Sequence, residues 1–224
     1  VTPDILIALQ HADSAFPSGS FGFSNGIEGL FGLGLPKGRE SLEQVLIATL
    51  RHRWASADRV ALVRAFRAGD DLDAICAIDH GVETTILPEP LRVGSRRNGG
   101  ALLAAHARLE TLGAAALRAE IDAGRAYGHL PVVQGTMWRA RGMSEQTAVA
   151  VSGYATAAGL TTAAIRLGRI GAIDAQGVLA AALAVVAEAA AEAVPSDAEI
   201  ESFTPWLDIA AARHARAPLR LFAN

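Results

Sequence analysis

The sequence predicts an all-α fold, a single-domain bundle of about eight to ten helices with mobile termini. Three observations carry that reading. Of 224 residues, 51% are hydrophobic but only 5% aromatic, so the apolar share lies in alanine and aliphatic side chains that suit closely packed helices better than a β-sandwich. Apolar residues recur at helical spacing along most of the chain, without sustained period-2 alternation. No self-similarity at roughly 20 to 50 residues points to a stacked-repeat architecture, and the length suffices for one sizeable core.

Taken in order, Asp4 to Ala12 forms a first amphipathic helix with Ile5, Leu6 and Leu9 on one side. Pro17 pushes Phe16 towards an extended conformation and stops that helix. A second helix starts between Ser20 and Asn25, with Asn25 and Glu28 spaced as a capping box, and runs to about Leu33 before Gly34 and Pro36. Ser41 with Gln44 opens the next helix, whose stripe is Leu42, Val45, Leu46, Leu50 and Trp54. Asp58 is placed to cap a segment that buries Leu62, Val63 and Phe66. After the turn Gly69-Asp70-Asp71, helical spacing resumes through Leu72, Ile75 and Cys76. Leu87-Pro88-Glu89-Pro90 is the strongest breaker. Leu91 to Leu112 returns to helix with Leu102, Leu103 and Leu109 inward, and Ala114 to Ala123 ends at Gly124. Pro131 suits the first position of a helix through Trp138, and Ser144 caps a long helix to Leu167. Asp174 starts an alanine-rich helix that Pro195 ends, and Thr204-Pro205-Trp206 begins a short last one.

The segment from Phe16 to Leu30 stands apart. Phe16, Phe21 and Phe23 alternate with residues almost lacking side chains, which neither a flexible linker nor an ordinary core helix would carry. Gly22, Gly26 and Gly29 fall on one face and would let another backbone come close. Two readings remain open from the residues alone: a tight helix-loop-helix packing corner, or a conformationally special surface that docks a partner.

Catalytic and metal-binding patterns are missing. The six histidines (11, 52, 80, 106, 129, 214) are never three or four apart, and Cys76 stands alone, so paired-histidine and CxxC metal sites do not form locally. The glycine-rich stretch lacks a following Gly-Lys-Ser or Gly-Lys-Thr, and no Gly-x-Ser-x-Gly elbow occurs. Asp70, Asp71 and Asp73 read as a solvated turn with a helix cap, and His106 with Glu110 as a surface i,i+4 pair. A net charge of −3 argues against a general nucleic-acid binder. One cysteine argues against a secreted disulfide scaffold, and no basic segment with an apolar core opens the chain, so a cytoplasmic protein is expected. Val1 in place of methionine suggests that the natural start lies elsewhere. The run Val178 to Val194, the single candidate span, is short and carries Glu188 and Glu192 on one face, so no membrane role is expected. The segment 213–224 holds Arg213, Arg216 and Arg220 without an acidic residue, beside Leu219, Leu221 and Phe222. It reads as a frayed terminus or as a tail that folds against a partner.

These features together resemble the family of urease accessory protein F (UreF). The resemblance spans nearly the whole chain and rests on four landmarks in order. They are Asp13-Ser14-Ala15-Phe16-Pro17-Ser18-Gly19-Ser20-Phe21 with Gly26-Ile27-Glu28; Gly128-His129-Leu130-Pro131-Val132-Val133-Gln134-Gly135; Ala164-Ile165-Arg166-Leu167-Gly168 with Gly171 and Gln176; and His214 with Arg220-Leu221-Phe222. Phe23, Ile27, Ala172, Ala215 and Asn224 depart from the family's usual residues. The resemblance implies a non-catalytic homodimeric chaperone of metallocentre assembly. Such a scaffold links the D/H-type accessory protein to the urease GTPase and presents both to apo-urease for GTP-dependent nickel insertion. It binds no cofactor directly; nickel and GTP act through the partner proteins. Phe21, Phe23, Glu28, Arg220, Leu221 and Phe222 are the expected partner-facing or tail-ordering residues, and 213–224 the docking tail. Arg166 reads equally as a buried structural arginine or a contact. Two alternatives are a small helical enzyme binding an anionic ligand at residues 19–29, at a helix N-terminus, and nickel carriage through dispersed histidines such as His129 and His214.

Overall fold

A computed structural model of the chain describes residues 3–19, 22–216 and 221–222. Among these residues there are helices and no strand. They are α1 (Pro3–Ala12), α2 (Ile27–Gly32), α3 (Gly38–Thr49), α4 (Arg59–Ala68), α5 (Leu72–Thr85), α6 (Glu89–Arg108), α7 (Ala114–Asp122), α8 (Leu130–Ala140), α9 (Glu145–Arg166), α10 (Ala172–Ala191) and α11 (Pro205–His214). A π-helical segment, Leu50–Asp58, runs α3 into α4 without a break, so the described chain forms ten separate helical rods.

That continuity corrects two caps. Asp58 keeps helical backbone angles and bonds no free amide, and Ser41 lies inside a helix that already begins at Gly38. Both carry cap chemistry, but tertiary packing extends the helix past them. The wider π turn places Trp54 wholly inside, its indole N–H donating to Ser152 Oγ of α9 at 3.3 Å. Two arginines then tie this rod to the end of α10. Arg59 donates to the carbonyls of Ala189 and Glu192, and Arg67 to that of Val194, orphan acceptors of the kind every helix C-terminus presents. Arg67 also forms a bidentate pair with Glu145 at 2.8 and 2.7 Å.

Two apolar clusters fill the bundle. The larger joins α2, α3, α9, α10 and α11 around Leu46, Leu50, Trp54, Leu160 and Val178. The smaller packs α4, α5, α6 and α7 around Val132, Val133 and Met137 of α8. Helix α8 is central: every residue from Pro131 to Trp138 is buried. The small residues Gly153 and Ala157 of α9 are core contacts, with Gly153 against Trp54 and Val186. Ser144 caps α9 as expected, and Asp4 of α1 accepts from its amide and hydroxyl, both at 3.0 Å, and from Thr147 Oγ1 at 2.6 Å.

Other expectations shift. Helix α6 ends at Arg108, which leaves Leu109 exposed, and α10 starts at Ala172. His106 is no surface partner of Glu110. Its ring is wholly buried and bonds Thr111 Oγ1 at 3.0 Å, while Glu110 has a positive φ of 52° and points outward. Two helices, α9 and α10, are long and apolar enough to cross a membrane by length and composition, where the sequence suggested one run. Each packs an alanine-rich face into the core, as buried helices of a globular bundle do.

Candidate partner-docking site

The glycine-rich segment builds the site. Asn25 (φ 51°) and Gly26 (φ 91°) are successive left-handed residues, so the chain turns sharply into α2. Gly26, not Asn25, occupies the N-cap and offers no side-chain bond, which frees Glu28 from the expected capping box. Ile27 and Leu30 enter the core, while Gly29 faces α11. A Cβ on Gly29 would overlap the carbonyl oxygen of Ala210 and sit 2.7 Å from its carbon, so α2 and α11 cross backbone to backbone. The packing corner is therefore real, and it carries a carboxylate.

Glu28 points towards the end of the chain. One oxygen accepts the Leu221 N–H at 2.7 Å and the other the Phe222 N–H at 3.1 Å. His214 Nε2 lies 3.0 Å from the second oxygen but off a hydrogen-bond line. Phe222 is buried, with the Arg166 guanidinium 4.3 Å above its ring, and Leu221 is 56% exposed. Phe23 is buried against Gly94 of α6. A surface hollow of about 460 Å³ separates Phe23 from Phe222, with Asp13, Tyr154 and Arg166 on its walls. Beside it a larger apolar groove runs between α1, α9 and α10, lined by Ile5, Leu9, Tyr154 and Ala190.

Of the six residues named from the sequence, Glu28, Leu221 and Phe222 thus meet directly, and Phe23 shares a hollow with Phe222. Phe21 and Arg220 lie outside the described residues. Phe222 is packed inward, and the carboxylate of Glu28 accepts from the Leu221 and Phe222 amides of its own chain. His214 and Arg166 complete the cluster; their signal was only their place in the landmarks. The anion-site alternative meets an obstacle here, because the first turn of α2 already holds a carboxylate that would repel an anion.

A second polar cluster escaped the sequence reading. Asp79 of α5, 1% exposed, accepts the N–H groups of Tyr127, Gly128 and His129, fixing the turn that enters α8. Glu83, one turn on, accepts from His129 Nε2 at 2.8 Å, with Arg96 at 2.6 Å and Arg92 at 3.3 Å. His129 Nδ1 meets Ser95 Oγ at 3.1 Å. Serine, imidazole and carboxylate here have the outline of a nucleophile relay. Yet the ring is wholly buried, two arginines neutralise Glu83, and Ser95 Oγ also accepts the Leu130 N–H, so the arrangement clamps the turn. Both His129 nitrogens are engaged, and His214 is buried with Nε2 beside Glu28. No group of three or more metal-ligating side chains converges among the described residues. The spacing Asp79-x-x-x-Glu83, two carboxylates on one helix face, was the available signal.

Comparison with known proteins places this architecture. The UreF family model matches residues 37–183. The Brucella melitensis protein called urease accessory protein UreF 1 is 34% identical over 99% of this chain and 93% of its own length. The Brucella abortus protein called urease accessory protein UreF 2 is also 34% identical, and the Yersinia enterocolitica urease accessory protein UreF is 30% identical over 99% of this chain and 98% of its own. With a matched family model over more than half its length and full-length relatives at this identity, the chain belongs to the UreF family of urease accessory proteins.

Proposed function

We propose that the protein is a cytoplasmic scaffold of urease maturation. It joins a D/H-type accessory protein to the urease GTPase and presents them, as a homodimer, to apo-urease. Membership of the family makes it a non-catalytic helper. GTP hydrolysis and nickel binding are then tasks of the partners, and this chain contributes shaped surface. The observation that best supports the reading is that the end of α1, Phe23 ahead of α2 and Phe222 near the chain end wall one hollow. Tyr154 joins them there, and it also lines the adjoining apolar groove with the exposed Ile5 and Leu9. Monomers rarely leave such apolar patches uncovered without an interaction to serve.

Co-purification with the D/H-type protein and with the GTPase tests it. The full chain retains both, and a chain truncated after Arg213 loses the D/H-type protein while keeping its helical circular dichroism. Undiminished capture by the truncated chain would remove the tail from the interface, and failure of the full chain to capture either partner would refute the scaffold.

A further inference from the structure

We propose that His11 and His106 form a proton-operated catch for α1, whose C-terminal end lifts off the body in mild acid while its N-terminal end stays tied. The inference concerns the isolated chain and is independent of the partner assignment above. The rings stack with centroids 5.2 Å apart and planes 13° from parallel, Phe16 lies 4.5 Å from His11, and Trp138 packs edge-on at 5.9 Å. Both histidines are buried. His11 donates Nδ1–H to the Ile7 carbonyl at 2.8 Å, so its neutral ring leaves Nε2 as a bare acceptor. Neither Nε2 has a hydrogen-bond partner, and Trp138 Nε1 close by has none either. A proton on either ring would therefore sit in an aromatic box with no acceptor for it.

The surrounding charges reinforce this. Arg141, just past α8, acts on both rings and opposes protonation. Asp13, two residues beyond His11, is exposed and takes the Ala15 amide, while Arg108 and Glu110 at the end of α6 are also exposed. Burial lowers both histidines, and with its neighbours His11 and Arg141 brings His106 to about 4. A detached imidazole titrates near 6.5, so the open state binds more protons below that pH. The catch is fully closed above 6.5, weakens as pH falls, and stops weakening below about 4. At the other end of α1, Thr147 and Ser144 hold the Asp4 carboxyl below 3.8, so that tie outlasts the catch. A ten-residue helix has little stability once detached, so its amides report the opening.

Amide hydrogen exchange of the whole chain between pH 7.5 and pH 5, corrected for intrinsic rates, tests the catch. The opening constant of Leu9 to Ala12 rises about 30-fold if one ring takes up the proton. Amides of α8 and α9 keep their protection, and the doubly substituted H11Q/H106Q chain shows no pH dependence in α1. A flat wild-type profile overturns the proposal, as does loss of protection in α8 and α9 in step with α1. Should the substituted chain fail to fold, ring chemical shifts of wild-type histidines decide. Midpoints below the free-imidazole value for both rings sustain the catch, and a midpoint at or above that value for either overturns it.

Discussion

Replacing Glu28 by alanine removes both acceptors that hold the end of the chain. A hydrogen bond to a charged group contributes about 1.5–3 kcal/mol, and released N–H groups regain water, so the lower end applies to each. Both bonds together then stabilise tail docking by about 3 kcal/mol. Burial of the Phe222 ring contributes a similar amount, about 2–3 kcal/mol. The two therefore share the load, and losing the carboxylate shifts the docked-to-undocked ratio by roughly 100-fold, at about 1.4 kcal/mol per factor of ten. Hydrogen exchange at the Leu221 and Phe222 amides, with carboxypeptidase trimming as a second readout, measures that ratio. Glu28→Gln keeps one acceptor oxygen and turns an N–H group on the other amide, so it falls between wild type and alanine. Protection and trimming rates in Glu28→Ala equal to wild type would refute the assignment of Glu28 as the anchor of the tail.

The crossing of α2 and α11 gives a sharper stability contrast. Gly29→Ala forces a methyl into the Ala210 carbonyl and costs about 1–3 kcal/mol by overpacking. That is roughly 2–4 °C of melting temperature per kcal/mol for a domain of this size. Gly22→Ala, with open space around it, stays within about 0.5 kcal/mol in the same thermal melt. Asp79→Ala strands three amide groups at the entrance to α8 and costs about 3 kcal/mol or more in urea unfolding, with capture of partners weakened only as far as the fold is. Burial and the neighbouring Glu120 raise the Cys76 thiol above its ordinary value, so native protein at pH 8 reacts with a disulfide reagent far more slowly than unfolded protein.

Much of the bundle was legible because helix periodicity, Pro131 at a helix start and Ser144 at an N-cap are local signals. What was not legible depended on contacts distant in sequence. Asp58 and Ser41 carry cap chemistry, but packing around Trp54 draws the helix through both. His106 looked like half of a surface pair because spacing alone does not show that α6 ends two residues later and that α1 returns a second imidazole to stack on it. Glu28 stood out as part of a motif, yet its bonding to Leu221 and Phe222 spans nearly the whole chain and could not be read from spacing. Asp79 and Glu83 went unremarked since carboxylates on a helix are ordinarily solvated, and only the return of the Tyr127–His129 turn buries Asp79 and brings His129 to Glu83.

We propose that the protein helps to mature urease by organising partners. That role is tested most directly in a urease-positive host from which this chain alone is deleted, by measuring the nickel content and activity of the purified urease. Urease protein is then made at normal level, low in nickel and nearly inactive, with both restored by wild-type chain but not by chain truncated after Arg213. Fully metallated, active urease without the chain would contradict it.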